Sequence, residues 1–155
     1  MIKRKLQTSL DSFRLFLAVS ALPHPLFLDS GMDPERLGHW SLIMAAPFER
    51  IRIKGGDIEL EDCLTGKKSV YSGNAFDFLN ERYALYQTPR TPAFDLPFGG
   101  GMAGYLAYDL CHHVESLPRT AVDDVRIPDA ILGLYETSIL IDHQRNEVWL
   151  TELDR

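Results

Sequence analysis

Three glycines in the segment LPFGGGMAGYLAYDL stand at the spacing of a nucleotide-binding turn. Gly99, Gly101 and Gly104 give the order G-x-G-x-x-G. A pyrophosphate site of this kind needs a strand before the glycines and a helix that begins at them and holds the anion. Here Pro97 interrupts any preceding strand, and the residues from Met102 onward alternate with period two. The pattern therefore predicts a turn and a bulge that lead into a strand, with Gly104 allowing close approach of a neighbouring group.

Two adjacent histidines, in the segment HHVE at 112–115, raise the alternative of a metal site. Neighbouring residues on a helix point about 100° apart, so only His112 and Glu115 share a face. A zinc site needs at least three protein ligands, and the sequence offers no third one nearby. The spacing favours a solvated helix end. Because no Ser-His-Asp or Cys-His arrangement is visible, the residues predict neither a metal site nor a catalytic site.

Apolar periodicity predicts two main helices and a set of short strands. One helix is predicted over 9–22, with Ser9 or Thr8 as its cap, and another over 75–87, with Asn74 as its cap. Strands follow period two and are predicted at 25–31, 39–47, 49–54, 57–61, 67–73, 102–110, 131–142 and 147–153. Hairpins dominate over regular strand–helix alternation, so the pattern predicts an α+β fold with a mainly antiparallel sheet.

Composition and charge place the chain among ordinary globular proteins. It has 155 residues, 45% hydrophobic and 25% charged, and a net charge of −6. Without a basic run, a nucleic-acid partner is not expected. Cys63 and Cys111 are too few for a disulfide framework, which predicts free thiols and a cytoplasmic location. The basic, then apolar N-terminus leaves a secretory leader as the alternative to the first helix, and no apolar run reaches the ~18 residues of a membrane span.

The segment PFGGGMAGYLAYDL and the motifs after it resemble the N-terminal half of the chorismate-utilising synthases. In that family a P-F-x-G-G motif precedes G-Y-x-x-Y-D, E-x-L-P, P-D and a strand that ends in D-H. The matching positions are Pro97, Phe98, Gly100, Gly101, Gly104, Tyr105, Tyr108, Asp109, Glu115, Leu117, Pro118, Pro128, Asp129, Asp142 and His143. FLDSG resembles the family's L-L-E-S motif, and HWSLIMAAP resembles its R-Y-S-I-I-A-x-x-P strand. The resemblance covers residues 10–153.

This resemblance implies a single domain, 1–155, that forms half of the family's β-sandwich without the C-terminal catalytic domain. In the family that domain binds chorismate and Mg²⁺. The residues of the segments GGGMAGYLAYDL and ESLP resemble those of aminodeoxychorismate synthase component I more closely than those of anthranilate synthase component I. The full enzyme would aminate chorismate to 4-amino-4-deoxychorismate, on the way to para-aminobenzoate and folate, with ammonia from a glutamine amidotransferase subunit. The chain alone is expected to be inactive, and a stand-alone binding module is the alternative interpretation.

The resemblance also implies a candidate amino-acid pocket at Asp29, Ser30, His39 and Trp40. In anthranilate synthases the L-L-E-S region holds a regulatory tryptophan, so Asp29 and Ser30 would contact the amino group of a ligand. Asp29 is one methylene shorter than the usual Glu, and His39 and Trp40 replace the usual Arg and Tyr. Trp40 is large enough to fill an indole pocket. A strand end followed by a turn is the structural alternative for Asp29 and Ser30.

The predicted strand 131–142 carries apolar residues on both faces, including Leu132, Leu134, Ile131 and Tyr135. Such a strand needs cover on both sides. In the family the catalytic domain covers one side. Without that domain, an exposed apolar face and self-association of the chain are expected.

Overall fold

The computed structural model describes residues 1–30, 33, 37–87, 94–118, 120 and 122–153. The elements among them, in chain order, are β1 (Ile2–Leu6), α1 (Ser12–Val19), β2 (Leu26–Leu28), β3 (Trp40–Met44), β4 (Glu49–Lys54), β5 (Asp57–Asp62), β6 (Lys68–Ser72), α2 (Ala75–Leu85), β7 (Gly101–Leu106), a 3₁₀ helix (Tyr108–His113), β8 (Ala130–Tyr135), β9 (Thr137–Asp142) and β10 (Glu147–Glu152). They confirm the predicted α+β class with mainly antiparallel strands.

The strands form two five-stranded sheets, with the orders β1-β10-β9-β3-β2 and β6-β5-β4-β8-β7. Contacts group the chain into two compact units. The first comprises Met1–Phe48, Pro89–Gly101 and Leu134–Arg155, and the second comprises Glu49–Thr88 and Met102–Gly133. The prediction of a single domain over 1–155 stays a prediction. Most of the connector at 88–97 lies outside the described residues.

In the first unit, α1 is shorter than the predicted helix. Its cap is Asp11, whose carboxylate accepts a hydrogen bond from the Arg14 amide at 2.8 Å. The expectation of Ser9 or Thr8 as the cap is therefore wrong, and the Thr8 hydroxyl instead accepts from the amide of Leu10. Leu15 of α1 packs in an apolar cluster with Ile43 and Ile141 of the sheet.

The sequence pattern gave no signal for β1, whose five residues are all exposed or half-buried. This strand pairs with β10, far along the chain, and lies at the edge of the first sheet. Two ion pairs hold it there, one between Lys3 and Asp95 and one between Lys5 and Glu147. The Lys5 Nζ–Glu147 Oε1 distance is 2.5 Å. Distant pairing and side-chain charge, rather than local apolar periodicity, define this strand.

In the second unit, the predicted hairpin and helix cap are both confirmed. Strands β4 and β5 pair across Gly55, which has a φ of 56°, a backbone conformation that glycine adopts without strain. The Asn74 side chain accepts from the amides of Phe76 and Asp77 at the start of α2. Both strands of the hairpin bury isoleucines, among them Ile53 and Ile58.

Arg82 fastens α2 to the sheet of the second unit through the nearly buried carboxylate of Glu49 on β4. The Arg82 Nε donates to Glu49 Oε2 at 2.8 Å, its Nη2 donates to Oε1, and the Tyr86 hydroxyl donates to Oε1 at 2.7 Å. The hydrogen bonds to this carboxylate raise the pKa of Arg82. Glu49 would be costly to bury without these donors, so the pair fixes the position of the helix.

Gly104 lies in β7 and confirms the predicted close approach. A Cβ atom there would lie 2.0 Å from the Ile131 carbonyl oxygen and 2.9 Å from the Leu132 Cα. The residues after Gly101 form a strand, as predicted, instead of the helix that a dinucleotide site requires. The G-x-G-x-x-G spacing therefore serves packing of β7 in the second sheet.

The predicted strand 131–142 is two strands. Glu136 separates β8, in the second sheet, from β9, in the first. The expectation that one face of this run is uncovered is wrong, since Leu132, Leu134, Tyr135 and Ile141 are all buried. Because each half joins a different sheet, the run is covered within the chain itself.

Two smaller findings concern the cysteines and the helices. Cys63 and Cys111 are both free, as predicted. Burial of the Cys63 thiol is the main cause that raises its pKa. In the described part of the chain, neither α-helix has the length and apolar character needed to cross a bilayer.

Substitution of Gly104 by alanine is expected to destabilise the chain by at least about 3 kcal/mol, because the added methyl group would overlap the backbone of β8. Urea unfolding followed by circular dichroism measures this. Gly56→Ala is the matched control, since a Cβ atom at Gly56 meets nothing within 4 Å. Equal unfolding midpoints for the two variants would contradict the close packing of β7 on β8.

The ion pairs of β1 are expected to lose their contribution to stability in acid. Hydrogen bonds from Lys3 and Lys5 lower the pKa values of Asp95 and Glu147 respectively. A carboxyl group with a lowered pKa in the folded state stabilises that state above its unfolded pKa. This contribution disappears as the pH falls through the folded value, from about pH 5 towards 2.

The double variant Lys3→Met/Lys5→Met should therefore lose less stability between pH 7 and pH 3 than the unaltered chain does. Arg4→Met, on the same strand, is the control and should keep the full pH dependence. An unchanged pH dependence in the double variant would show that these pairs are screened by solvent.

Candidate functional site

The candidate residues lie where three segments of the first sheet end. Asp29 and Ser30 follow β2, Trp40 begins β3, and Asp142 ends β9. Backbone pairing brings these ends together, because Trp40 is the register partner of Asp142 and Leu28 that of Leu42. In addition, the His143 amide donates to the carbonyl of His39 at 2.9 Å.

Ser41, a residue that the sequence pattern did not single out, is the centre of the first group. Its side chain is fully buried, and its Oγ lies 2.9 Å from Asp29 Oδ1, 2.7 Å from His143 Nε2 and 3.0 Å from the Ser30 amide nitrogen. A hydroxyl has one proton to donate and two lone pairs that accept. The amide of Ser30 must donate to it, and the ionised carboxylate of Asp29 can only accept.

This count fixes the protonation of His143. Because Ser41 uses its single hydroxyl hydrogen in a hydrogen bond to Asp29, the His143 Nε2 must carry a hydrogen and donate a hydrogen bond to Ser41. The hydrogen bonds thus run from His143 to Ser41 and from Ser41 to Asp29. Because the Ser41 side chain has no solvent exposure, its hydroxyl is out of reach of a ligand in solution.

A second group forms around Asp142, which is 1% exposed. Its Oδ1 accepts from His39 Nε2 at 3.0 Å and from the amides of Gln144 and Arg145 at 3.0 and 2.9 Å. Its Oδ2 is buried and has no hydrogen-bond partner among the described residues, although Arg145 Nε lies 4.0 Å away. These contacts define the turn between β9 and β10 and hold the His39 ring over it.

Trp40 belongs to the group around Asp142 and not to the group around Ser41. Its ring stacks on His39, with ring centroids 4.8 Å apart and planes inclined by 27°. It packs beside the apolar cluster of Phe94, Leu96 and Leu140. Successive side chains of a strand point to opposite faces, so Trp40 and Ser41 lie on different faces of β3.

The structure therefore divides the four predicted pocket residues into two pairs. Asp29 and Ser30 contact Ser41, while His39 contacts Asp142 and stacks on Trp40. The carboxylate of Asp29 is exposed, whereas Ser41 is fully buried. The motif comparison included Asp142 and His143 without a role. For Ser41, the only signal in the sequence was a hydroxyl at a core position of an apolar strand.

Of the two adjacent histidines, His113 has a structural role in the second unit. His113 Nδ1 accepts from the Ala75 amide at 3.2 Å, and its Nε2 donates to the Gly55 carbonyl at 2.9 Å. Asn74 donates to the His113 carbonyl at 2.7 Å. In the described parts of the chain, no group of three or more His, Cys, Asp or Glu side chains is placed to hold a metal ion.

Comparison with known proteins gives relatives of two kinds, and no family model matches the chain. Aminodeoxychorismate synthase component 1 from Escherichia coli (strain K12) is 29% identical over 135 residues, which cover 87% of this chain and 29% of that protein. Anthranilate synthase component 1 from Mycobacterium tuberculosis (strain ATCC 25618 / H37Rv) is 28% identical over 149 residues, or 93% of this chain and 28% of that protein.

Among solved structures, anthranilate synthase component I from Streptococcus pneumoniae TIGR4 matches with a TM-score of 0.60 at 24% identity. The match covers 88% of this chain and 28% of that one. This likeness confirms the fold. The chain spans less than a third of the length of the relatives it matches.

Replacing Ser41 by alanine is expected to destabilise the chain by about 1–3 kcal/mol, because the buried donors of Ser30 and His143 lose their acceptor. In the unaltered chain, nitrogen NMR should show His143 with its hydrogen on Nε2 at a pH where the ring is neutral. Ser69→Ala, at a half-buried position of β6, is the control for stability. A His143 ring with its hydrogen on Nδ1 would contradict the assigned direction of the hydrogen bonds.

Proposed function

We propose that this chain is the N-terminal domain of an aminodeoxychorismate synthase component I. The premise is its homology to the N-terminal part of the component I proteins of aminodeoxychorismate synthase and anthranilate synthase. The complete enzyme would aminate chorismate to 4-amino-4-deoxychorismate, for para-aminobenzoate and folate synthesis. The ammonia would come from a glutamine amidotransferase subunit. In this proposal the present domain has a structural or regulatory role.

The observation that carries the proposal is the extent of the alignment. It covers 87% of this chain but only 29% of the aminodeoxychorismate synthase component from Escherichia coli, so the likeness concerns one part of a longer protein. A second aminodeoxychorismate synthase component, from Klebsiella aerogenes, is 30% identical over 90% of the chain. The residues of the motif around Gly104 and Tyr105 also favour aminodeoxychorismate synthase over anthranilate synthase.

The side chains of the chain support a role other than catalysis. His113, Ser41 and Asp142 make hydrogen bonds that hold strands, turns and a helix end in place. In this proposal the Mg²⁺ that the resemblance implies belongs to the rest of component I; the described residues of this chain include no group of three or more His, Cys, Asp or Glu side chains placed to hold a metal ion. We therefore assign chorismate binding, magnesium binding and proton transfer to the part of component I that this chain does not span.

Anthranilate synthase component I is the second candidate. The relative from Mycobacterium tuberculosis aligns with 93% of the chain at nearly the same identity, which favours this candidate. In that case the pair Asp29 and Ser30 would belong to a regulatory tryptophan site. The two candidates differ in the product of chorismate, and growth requirements distinguish them.

Complementation tests the proposal directly. The complete reading frame that contains this chain is expressed in two bacterial strains, one that requires para-aminobenzoate and one that requires tryptophan, each because its own component I is deleted. Growth of the first strain without para-aminobenzoate is expected, with no growth of the second without tryptophan. Growth of the second strain alone would establish the anthranilate synthase candidate, and growth of neither would overturn both.

Calorimetry with tryptophan tests the proposed amino-acid pocket. No measurable binding to the chain alone is expected, because one oxygen of Asp29 already accepts from Ser41 and the Trp40 ring packs on the apolar cluster at Phe94. Loss of one charge-assisted contact costs about 1.5–3 kcal/mol, or roughly ten- to a hundredfold in affinity. Micromolar binding that disappears in Asp29→Ala but persists in the control Asp57→Ala would contradict this expectation.

A further inference from the structure

The second unit contains an open groove with a volume of about 770 Å³. Its walls are the end of β4, the 3₁₀ helix and the segment that leads to β8. We call it the acidic groove and define it by five apolar residues, Tyr108, Leu117, Val122, Val125 and Ile127, and five charged residues, Lys54, Asp109, Asp123, Asp124 and Asp129. None of them belongs to the group around Ser41 or to the group around Asp142.

The apolar side chains of the acidic groove are unusually exposed. Tyr108 and Val122 are each 86% exposed, and Val125 is 71% exposed. Single exposed apolar residues are common on protein surfaces, but several that line one cavity form a patch, which soluble proteins rarely leave without a function. An exposed tyrosine among aliphatic side chains is also typical of the residues that contribute most to binding at interfaces.

The charges of the groove are unequal, and the single lysine is already paired. Lys54 Nζ lies 2.6 Å from Asp123 Oδ2 and 3.0 Å from Asp129 Oδ1. These hydrogen bonds, that from Asp123 first, raise the pKa of Lys54. Asp129 is buried, and its second oxygen accepts from the amide of Gly55 at 2.7 Å. The hydrogen bonds and ion pairs of Lys54 and Asp129 are therefore made within the chain, and they hold the end of β4 in place.

Two carboxylates remain for a partner. Asp109 and Asp124 are exposed, and among the described residues neither forms an ion pair or a side-chain hydrogen bond. They lie on the same groove as the exposed apolar side chains. A partner that fits must therefore supply positive charge and apolar surface within one short stretch.

We propose that the acidic groove is a docking surface for a polypeptide segment that carries lysine or arginine next to apolar side chains. The apolar side chains bury against Tyr108, Val122 and Val125, and the cations pair with Asp109 and Asp124. Burial of the apolar surface supplies most of the affinity, while the charges accelerate association and exclude acidic segments. The proposal is independent of the reaction assigned to the complete enzyme.

Fluorescence anisotropy with three short labelled peptides tests the docking surface on the full chain. The first peptide alternates lysine with leucine, the second replaces lysine by glutamate, and the third replaces leucine by serine. The lysine–leucine peptide should bind at least about tenfold more tightly than either of the others. Equal binding of the lysine–leucine and lysine–serine peptides would reduce the effect to net charge and overturn the proposal, as would binding of none.

Variants locate the binding. Asp109→Asn/Asp124→Asn and Val122→Ser/Val125→Ser should each weaken binding of the lysine–leucine peptide about tenfold or more. The variant Asp109→Asn/Asp124→Asn should also make peptide binding less dependent on salt concentration. All four positions are exposed, and circular dichroism checks that the variants are folded. The controls Glu81→Gln and Val70→Ser, exposed positions of the same unit that do not line the groove, should bind as the unaltered chain does.

Two outcomes would overturn the assignment of the groove. One is equal loss of binding in the control and groove variants, which would place the peptide elsewhere. The other is a dimer of the unaltered chain in sedimentation velocity that the groove variants abolish, which would make a second copy of this chain the occupant.

Discussion

Burial of the apolar run from Ala130 to Asp142 is the constraint on which the rest of the architecture depends. A single strand with apolar residues on both faces would need two covers. The chain instead divides the run at Glu136, so that β8 enters the second sheet and β9 the first. Each half is an interior strand of its sheet, flanked by two others. One continuous stretch of sequence thus supplies an interior strand to each of the two sheets.

Features determined by neighbouring residues could be predicted from the sequence. The β4–β5 hairpin follows from alternation on both sides of Gly55, and the start of α2 follows from a side chain that caps it, Asn74. The close approach at Gly104 follows from a glycine within a period-two strand. In each case the physical cause, a backbone conformation, a cap or missing side-chain volume, acts over a few residues.

Features determined by distant pairing could not be predicted. Strand β1 is exposed along most of its length and exists because β10 offers it backbone partners. The break at Glu136 contains no glycine or proline. The polar residues Glu136, Thr137 and Ser138 interrupt the apolar pattern there, but they do not show that the two halves enter different sheets. The candidate site shows the same limit: a local motif points to Asp29, but its partner Ser41 also contacts His143, 102 positions further along the chain.

The polar side chains that could do chemistry are engaged in holding this architecture. Ser41 donates a hydrogen bond to Asp29, His113 connects the start of α2 to the β4–β5 hairpin, and Asp142 accepts hydrogen bonds in the turn after β9. Side chains held in such buried hydrogen-bond networks have little freedom for catalysis. The acidic groove differs, since Asp109 and Asp124 lie beside exposed apolar residues without such partners.

In the proposed function, chorismate chemistry is carried out by residues of component I other than those of this chain. The most direct measurement is to incubate the purified chain with chorismate, ammonia and Mg²⁺ and to follow aminodeoxychorismate and anthranilate by chromatography. We expect product formation no faster than in the blank without protein. Turnover well above that rate, lost in Asp29→Ala or Ser41→Ala but kept in Asp57→Ala, would contradict the claim.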